Sequence, residues 1–230
     1  MVRMRIYLLV SLALLTTGCR SLNRMLGVGD GSKAEPIHIL GAGQSNANNT
    51  VIWSRLAARI ETYTGRDVTW NYAAVSNTSS QQWAANIPMP YWGIHPGQPI
   101  LDYFALKVQA TKPTFVCWMQ GEGDADTTAP EYASNIGVVI RAMHASYPTA
   151  TFVTALESFH PEHQGDPRGG QLLLVKEHQA LLGPDVDSFR PHYSEPSAPG
   201  DGPNPHFTEE GKEKIADAWF EALKPYLSKV

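Results

Sequence analysis

From Pro36 onward the chain alternates short apolar runs of β-forming residues with longer segments whose apolar positions recur at helical spacing. That pattern restricts the fold to βαβ units wound around a parallel sheet. Strands are expected at residues 37–41, 68–73, 114–119, 151–156 and 188–192. They are largely apolar on both faces, as strands covered by helices on each side must be. Helices are expected at residues 50–63, 99–110, 130–146 and 170–182, and an amphipathic helix from Glu209 to about Leu223 stops before Pro225. Thr208 followed by Glu209 and Glu210 supplies its N-terminal cap and the acidic first turn that a helix dipole favours. With 230 residues, 43% hydrophobic and 17% charged, the chain can bury one substantial core, so residues 36–230 are expected to form a single domain.

The first residues follow a different logic. Arg3 and Arg5 precede an apolar run at residues 6–15, and Thr16, Thr17 and Gly18 lead into Cys19. This is the layout of a secretory signal at residues 1–18. The run is shorter than the ~20 residues that cross a bilayer as a helix, so a permanent span is the weaker reading. Its end resembles a bacterial lipobox, in which the cysteine is lipidated and becomes the new N-terminus; Thr16 stands where leucine is usual, and ordinary signal cleavage is the alternative. The expectation is an exported cell-envelope lipoprotein anchored through Cys19 at the outer membrane or facing the periplasm, and otherwise a secreted protein. Residues 19–35, rich in Gly, Ser and charge, read as a flexible tether. The second of the two cysteines, Cys117, lies in the apolar run Phe115, Val116, Cys117, Trp118, Met119 and reads as a small buried hydrophobe. Net charge is −4 and no Lys/Arg run follows the first few residues, which argues against a nucleic-acid partner.

Three motifs fall at strand ends, where open parallel sheets bind ligands. The first, Gly41-Ala42-Gly43-Gln44-Ser45-Asn46, joins the first strand to the first helix and sets a serine on a tight turn. A phosphate-cradling loop is the rival, but Asn46 replaces the third glycine and no Lys-Ser/Thr pair follows. The second motif is Trp118-Met119-Gln120-Gly121-Glu122-Gly123-Asp124 after the third strand, and the third is Asp201-Gly202-Pro203-Asn204-Pro205-His206-Phe207 before the last helix. A serine needs a base to act as a nucleophile at neutral pH, and imidazole, with an unperturbed pKa of ~6.5, suits the task. The base in turn needs a carboxylate to fix its tautomer. Ser45, His206 and Asp201 can fill these three roles.

On the blocks Gly43-Gln44-Ser45-Asn46 and Trp118 to Asp124 the chain resembles the SGNH (GDSL-like) hydrolases, in particular the branch of sialate O-acetylesterases and carbohydrate esterase family 6. The resemblance covers the domain from about Ile37 to the C-terminus. It implies a three-layer α/β/α sandwich with a central parallel sheet of about five strands, similar to flavodoxin. It also implies removal of O-acetyl groups from carbohydrate, on acetylated polysaccharide or sialic-acid-like sugars, without metal or cofactor. Ser45 and Asn77 amides with the Gln120 side chain are the candidate oxyanion hole; Gln44, Asn46 and Glu122, inside the matched blocks, are candidate substrate-binding residues, and Trp83 joins them as an aromatic of the loop after the second strand.

The departures from the pattern are specific. Family members usually have glycine where Asn77 stands, and asparagine tolerates left-handed backbone better than other side chains. The wider superfamily has an asparagine donor at the place of Gly123, which the sugar-esterase branch commonly lacks too. The family's carboxylate stands three residues before the histidine, at Pro203 here, whereas Asp201 stands five before, with Asp185, Asp187 and Glu195 as fallback partners. Two readings therefore remain beside the esterase: a glycan-binding surface lipoprotein on a degenerate hydrolase scaffold, and a lipase or thioesterase of the same superfamily.

Other features have blander readings. Trp83, Tyr91 and Trp92 could stack on sugar rings or pack against their own domain. His160 and His163, near Glu157, Glu162 and Asp166, have the loose spacing of a solvated loop rather than a metal site. Glu122 with Asp124 could be a glycosidase acid pair, but the surrounding block fits loop bracing better. His38 and His144 fall within a strand and a helix and read as structural.

Overall fold

The computed structural model of the chain describes residues 34–89, 95–158, 165–197 and 204–230. Five strands, β1 (Ile37–Gly43), β2 (Val68–Ala74), β3 (Phe115–Met119), β4 (Thr151–Leu156) and β5 (Leu181–Asp185), form one parallel sheet in the order β2-β1-β3-β4-β5. Between and after them run α1 (Thr50–Thr64), α2 (Ser80–Ala84), α3 (Ile100–Thr111), α4 (Ala129–Ser146), α5 (Pro167–Lys176), α6 (Arg190–Tyr193) and α7 (Glu209–Leu223).

The period of two along the central strands sorts their side chains onto opposite faces. Phe115, Cys117 and Met119 of β3 join a core with Trp53, Leu56 and Ile60 of α1 and Ile215, Trp219 and Leu223 of α7. Val116 and Trp118, the alternate positions, join Trp83, Phe104, Ile136, Val139 and Met143 beneath α2, α3 and α4. All five residues of β3 are buried, whereas the edge strands β2 and β5 are only partly covered. The result is the expected three-layer α/β/α sandwich, and Cys117 is buried in it, its thiol pKa pushed up by burial.

Local signals set the helix ends. The Asn49 side chain accepts the Val51 and Ile52 amides at 3.0 and 3.3 Å, and Gly65, with φ of 68°, closes α1 in left-handed backbone. Thr208 caps α7 through a 3.2 Å bond from the Gly211 amide.

Two expectations are corrected. The fifth strand is Leu181–Asp185, not residues 188–192. Residues 188–192 instead fall in a 3-10 turn, Asp187–Phe189, and in α6, which Pro191 helps to start because its ring fixes a helical φ and its missing N–H is not needed there. The preceding helix accordingly stops at Lys176: His178 turns to φ of 58°, and the Gln179 amide folds back to Leu174 O at 2.9 Å. Pro184 is tolerated in β5 because that strand lies at the sheet edge.

Candidate active site

The strand order reverses between β1 and β3, so the loops after these two strands diverge and leave a crevice at their carboxyl ends. The chain turns sharply there. Gly43 has φ of 122°, and a Cβ built on it would lie 1.9 Å from Met119 O, so no side chain fits. Its carbonyl accepts the Val75 amide and the next amide, Gln44 N, donates to Met119 O, each at 2.9 Å. Ser45 then opens a 3-10 turn, Ser45–Ala47, with its side chain half-buried at the crevice.

His206 meets it from the segment before α7. Its Nε2 lies 3.1 Å from Ser45 Oγ, across 161 positions of sequence. The segment is held on both sides of the ring: Asn204 Oδ1 accepts the His206 amide at 3.0 Å, and the His206 carbonyl accepts the Glu195 amide at 2.8 Å. Ser45 and His206 are thus in hydrogen-bonding contact in the geometry a nucleophile and its base require.

Asp201 lies outside the described residues, as do Cys19, Tyr91, Trp92, His160 and His163. Two of the fallback carboxylates are engaged elsewhere. Asp185 accepts both Arg168 Nη1 and Nη2 at 2.7 Å, and Asp187 accepts Arg168, Arg190 and the Ser158 amide and hydroxyl. The Arg168 pairing holds Asp185 below the ordinary carboxylate range. Glu195 lies 3.7 Å from Lys212 Nζ through its side chain.

Asn77 adopts φ of 57° on an exposed turn after β2, the left-handed backbone expected of this position. Among the described residues nothing engages its backbone N–H or that of Ser45. Gln120 behaves otherwise. It is fully buried, and its Nε2 already faces Thr78 O at 2.7 Å, Asp124 Oδ2 at 3.0 Å and Gln44 Oε1 at 3.1 Å. Two amide hydrogens surrounded by three acceptors leave none for an oxyanion, so Gln120 ties the loops after β1, β2 and β3 together instead.

The residues expected to bind substrate are also inside. Trp83 is fully buried because the Ser79 capping box turns α2 onto the sheet, and its ring packs 5.1 Å from that of Trp118 while its indole N–H donates to Thr78 Oγ1. It is core, not a sugar platform. Gln44 accepts the Gly123 amide at 3.1 Å, and Asn46 and Glu122 are buried together beneath the His206 segment. Asp124 accepts the Ser80 amide and hydroxyl, fastening α2 to the loop after β3; burial raises its pKa against these bonds. His38 and His144 bond to Thr69 Oγ1 and Ala150 O, within the framework.

Arg190 and Gln171 escaped the sequence reading, and Glu157, read there only as a neighbour of a solvated loop, is fully buried. Glu157 ends β4, fully buried, with Arg190 Nη2 at 2.9 Å from Oε1. Gln171 binds Gln120 O, Glu157 O and, through Oε1, the Glu157 amide. A charge placed directly after the apolar run of β4 was the signal for Glu157; Arg190 gave none, sitting in a segment read as strand. Among the described residues no cluster of His, Cys, Asp and Glu has the arrangement of a metal site.

No family profile and no curated protein matches the sequence. Solved structures do. A carbohydrate acetylesterase from Xanthomonas citri is 15% identical with a TM-score of 0.56, over 84% of this chain and 57% of that one, so the present chain spans little more than half its length. A carbohydrate esterase of family 3 from Talaromyces cellulolyticus is 15% identical with a TM-score of 0.55, over 86% of this chain and 100% of that one. A protein described as a GDSL-like lipase from Parabacteroides merdae is 12% identical with a TM-score of 0.54, over 82% and 95%. The fold is that of the SGNH hydrolases. In this SGNH fold Ser45 and His206 occupy the crevice at the switch in strand order.

Proposed function

We propose that the chain is a serine carboxylic ester hydrolase that removes O-acetyl groups from carbohydrate. One observation carries the reading: Ser45 Oγ and His206 Nε2 are 3.1 Å apart at the switch point of the sheet. In the proposed reaction Oγ attacks the acetyl carbonyl as its proton passes to Nε2, and the tetrahedral oxyanion takes hydrogen bonds from the amides of Ser45 and Asn77. Collapse releases the sugar hydroxyl, which takes the proton back from His206. Water then attacks the acetyl-serine by the same route and frees acetate. Asp201 is the proposed carboxylate that orients the imidazole. The sugar-acetate specificity is supported by the carbohydrate acetylesterase named for the Xanthomonas neighbour, and carbohydrate as the substrate class also by the carbohydrate esterase named for the Talaromyces one; export with a lipid on Cys19 is part of the same proposal.

Hydrolysis of a short-chain aryl acetate, followed by acetate release from acetylated xylan, mannan and sialic acid, tests it. Ser45→Ala and His206→Ala are expected to remove nearly all turnover, and Asp201→Asn to lower kcat by up to ~10⁴. Wild-type protein no faster than Ser45→Ala refutes the esterase reading.

A further inference from the structure

Beneath the His206 segment lies a buried charged cluster that the acyl-transfer steps do not use. Asn46 Nδ2 donates to Glu122 Oε1 at 2.5 Å and faces Glu157 Oε1 at 3.2 Å. Arg190 Nη2 lies 2.9 Å from Glu157 Oε1 and 3.7 Å from Glu122 Oε1, and its Nε donates to Asp187 Oδ1 at 2.8 Å. The side chains of Glu122, Glu157 and Arg190 are 3%, 0% and 10% exposed, so these contacts are made out of water, where hydrogen bonds to charged groups are strong.

The donors of this cluster converge on one acceptor outside it. Pro205 O takes Asn46 Nδ2 at 3.0 Å and Arg190 Nη1 at 2.5 Å. The Arg190 guanidinium also lies 4.7 Å over the ring of Phe207. Pro205 and Phe207 flank His206, which is itself exposed. The base is therefore held through its two neighbours.

We infer that Asn46 and Arg190, fixed in turn by Glu122 and Glu157, are positioning residues that clamp Pro205 and Phe207 and thereby hold the His206 imidazole against Ser45. The inference rests on Ser45 and His206 being nucleophile and base. Two carboxyl groups share a single guanidinium here, and an Oε2 of each is buried with no partner among the described residues. Burial and the neighbouring Glu122 accordingly push Glu157 well above the carboxylate range, with Arg190 opposing and Asp187 adding to the rise. Packed hydrophobic residues stabilise a core at least as well as such a cluster. Only polar groups, however, can grip the carbonyl before the histidine.

The test uses the full chain with Asn46→Ala, Arg190→Met and the shape-conserving Glu157→Gln; Arg190→Lys, which keeps the charge but not the two-pronged reach, replaces Arg190→Met if that protein does not fold. Aryl acetate kinetics and hydrogen–deuterium exchange are read together. Asn46→Ala and the Arg190 variant are expected to lower kcat by about 10–100-fold with KM little changed, because a misplaced base slows chemistry and not binding. Exchange in residues 204–207 should quicken while that in α1 does not, and Glu157→Gln should retain kcat within a few-fold. Wild-type kcat with unchanged exchange at 204–207 in both variants overturns the clamp and leaves the esterase standing. A wild-type protein as inert as Ser45→Ala overturns the esterase reading and the clamp with it.

Discussion

On the proposed esterase reading, replacing Gly123 by asparagine installs the side chain that supplies an oxyanion donor in the wider SGNH superfamily, so a simple view of the site expects faster turnover. The packing argues for the reverse. A Cβ at Gly123 would sit 2.4 Å from Thr78 O, 3.0 Å from Thr78 C and 3.3 Å from Gln44 Oε1. The first contact is about 1 Å short of ordinary van der Waals separation, and the atom in the way is backbone, which cannot rotate aside. Thr78 must retreat, and Thr78 O is the acceptor of the 2.7 Å bond from Gln120 that anchors the turn carrying Asn77. Overpacking of this kind costs about 1–3 kcal/mol. At ~2–4 °C per kcal/mol for a domain of this size, Tm should fall by about 2–12 °C. On the same reading, a displaced Asn77 amide is a lost oxyanion donor, and kcat falls by ~10²–10³. Thermal unfolding by circular dichroism and aryl acetate turnover read the two effects separately. A Gly123→Asn protein with wild-type Tm and raised kcat refutes the reasoning, because it would show room for the side chain and no dependence of the site on Thr78.

Two further outcomes are expected. Burial and the neighbouring Glu122 raise the folded-state pKa of Glu157 above its unfolded ~4.3, so its contribution to stability is complete below that value and is lost as pH rises toward the folded pKa. Urea unfolding of Glu157→Gln and wild type should therefore shift in the variant's favour from pH 4 to pH 8, and a stability difference that is constant or runs the other way contradicts the assignment. Metabolic labelling with an alkyne fatty acid in a bacterial host should mark the wild-type chain and not Cys19→Ala; label retained by the variant places the lipid elsewhere, and none on either leaves ordinary signal cleavage.

The α/β layering was legible because the strands at 115–119 and 151–156 are apolar on both faces, a pattern that only a helix-covered parallel sheet satisfies. The fifth strand was not. Leu181 and Leu182 continue the helical period of α5, and local pattern cannot tell a buried strand from the next turn of a helix. Tertiary pairing with β4 decides it. The burial of Trp83 was left open for a related reason. Trp83 directly follows a polar stretch, Ser76 to Gln82, that reads as surface loop, but the capping box at Ser79 orients a single helical turn so that its large apolar side chain enters the core.

Periodicity and turn chemistry are local properties, so the parallel α/β fold, the serine on a glycine-containing turn after the first strand and the histidine before the last helix can be read along the chain. Closure of the fold brought Ser45 to 3.1 Å from His206, turned Gln120 and Asn46 inward, and joined Glu122, Glu157 and Arg190 beneath the His206 segment. Those residues lie on segments separated by dozens of positions, and their hydrogen bonds depend on which buried donors and acceptors the closed fold leaves facing one another.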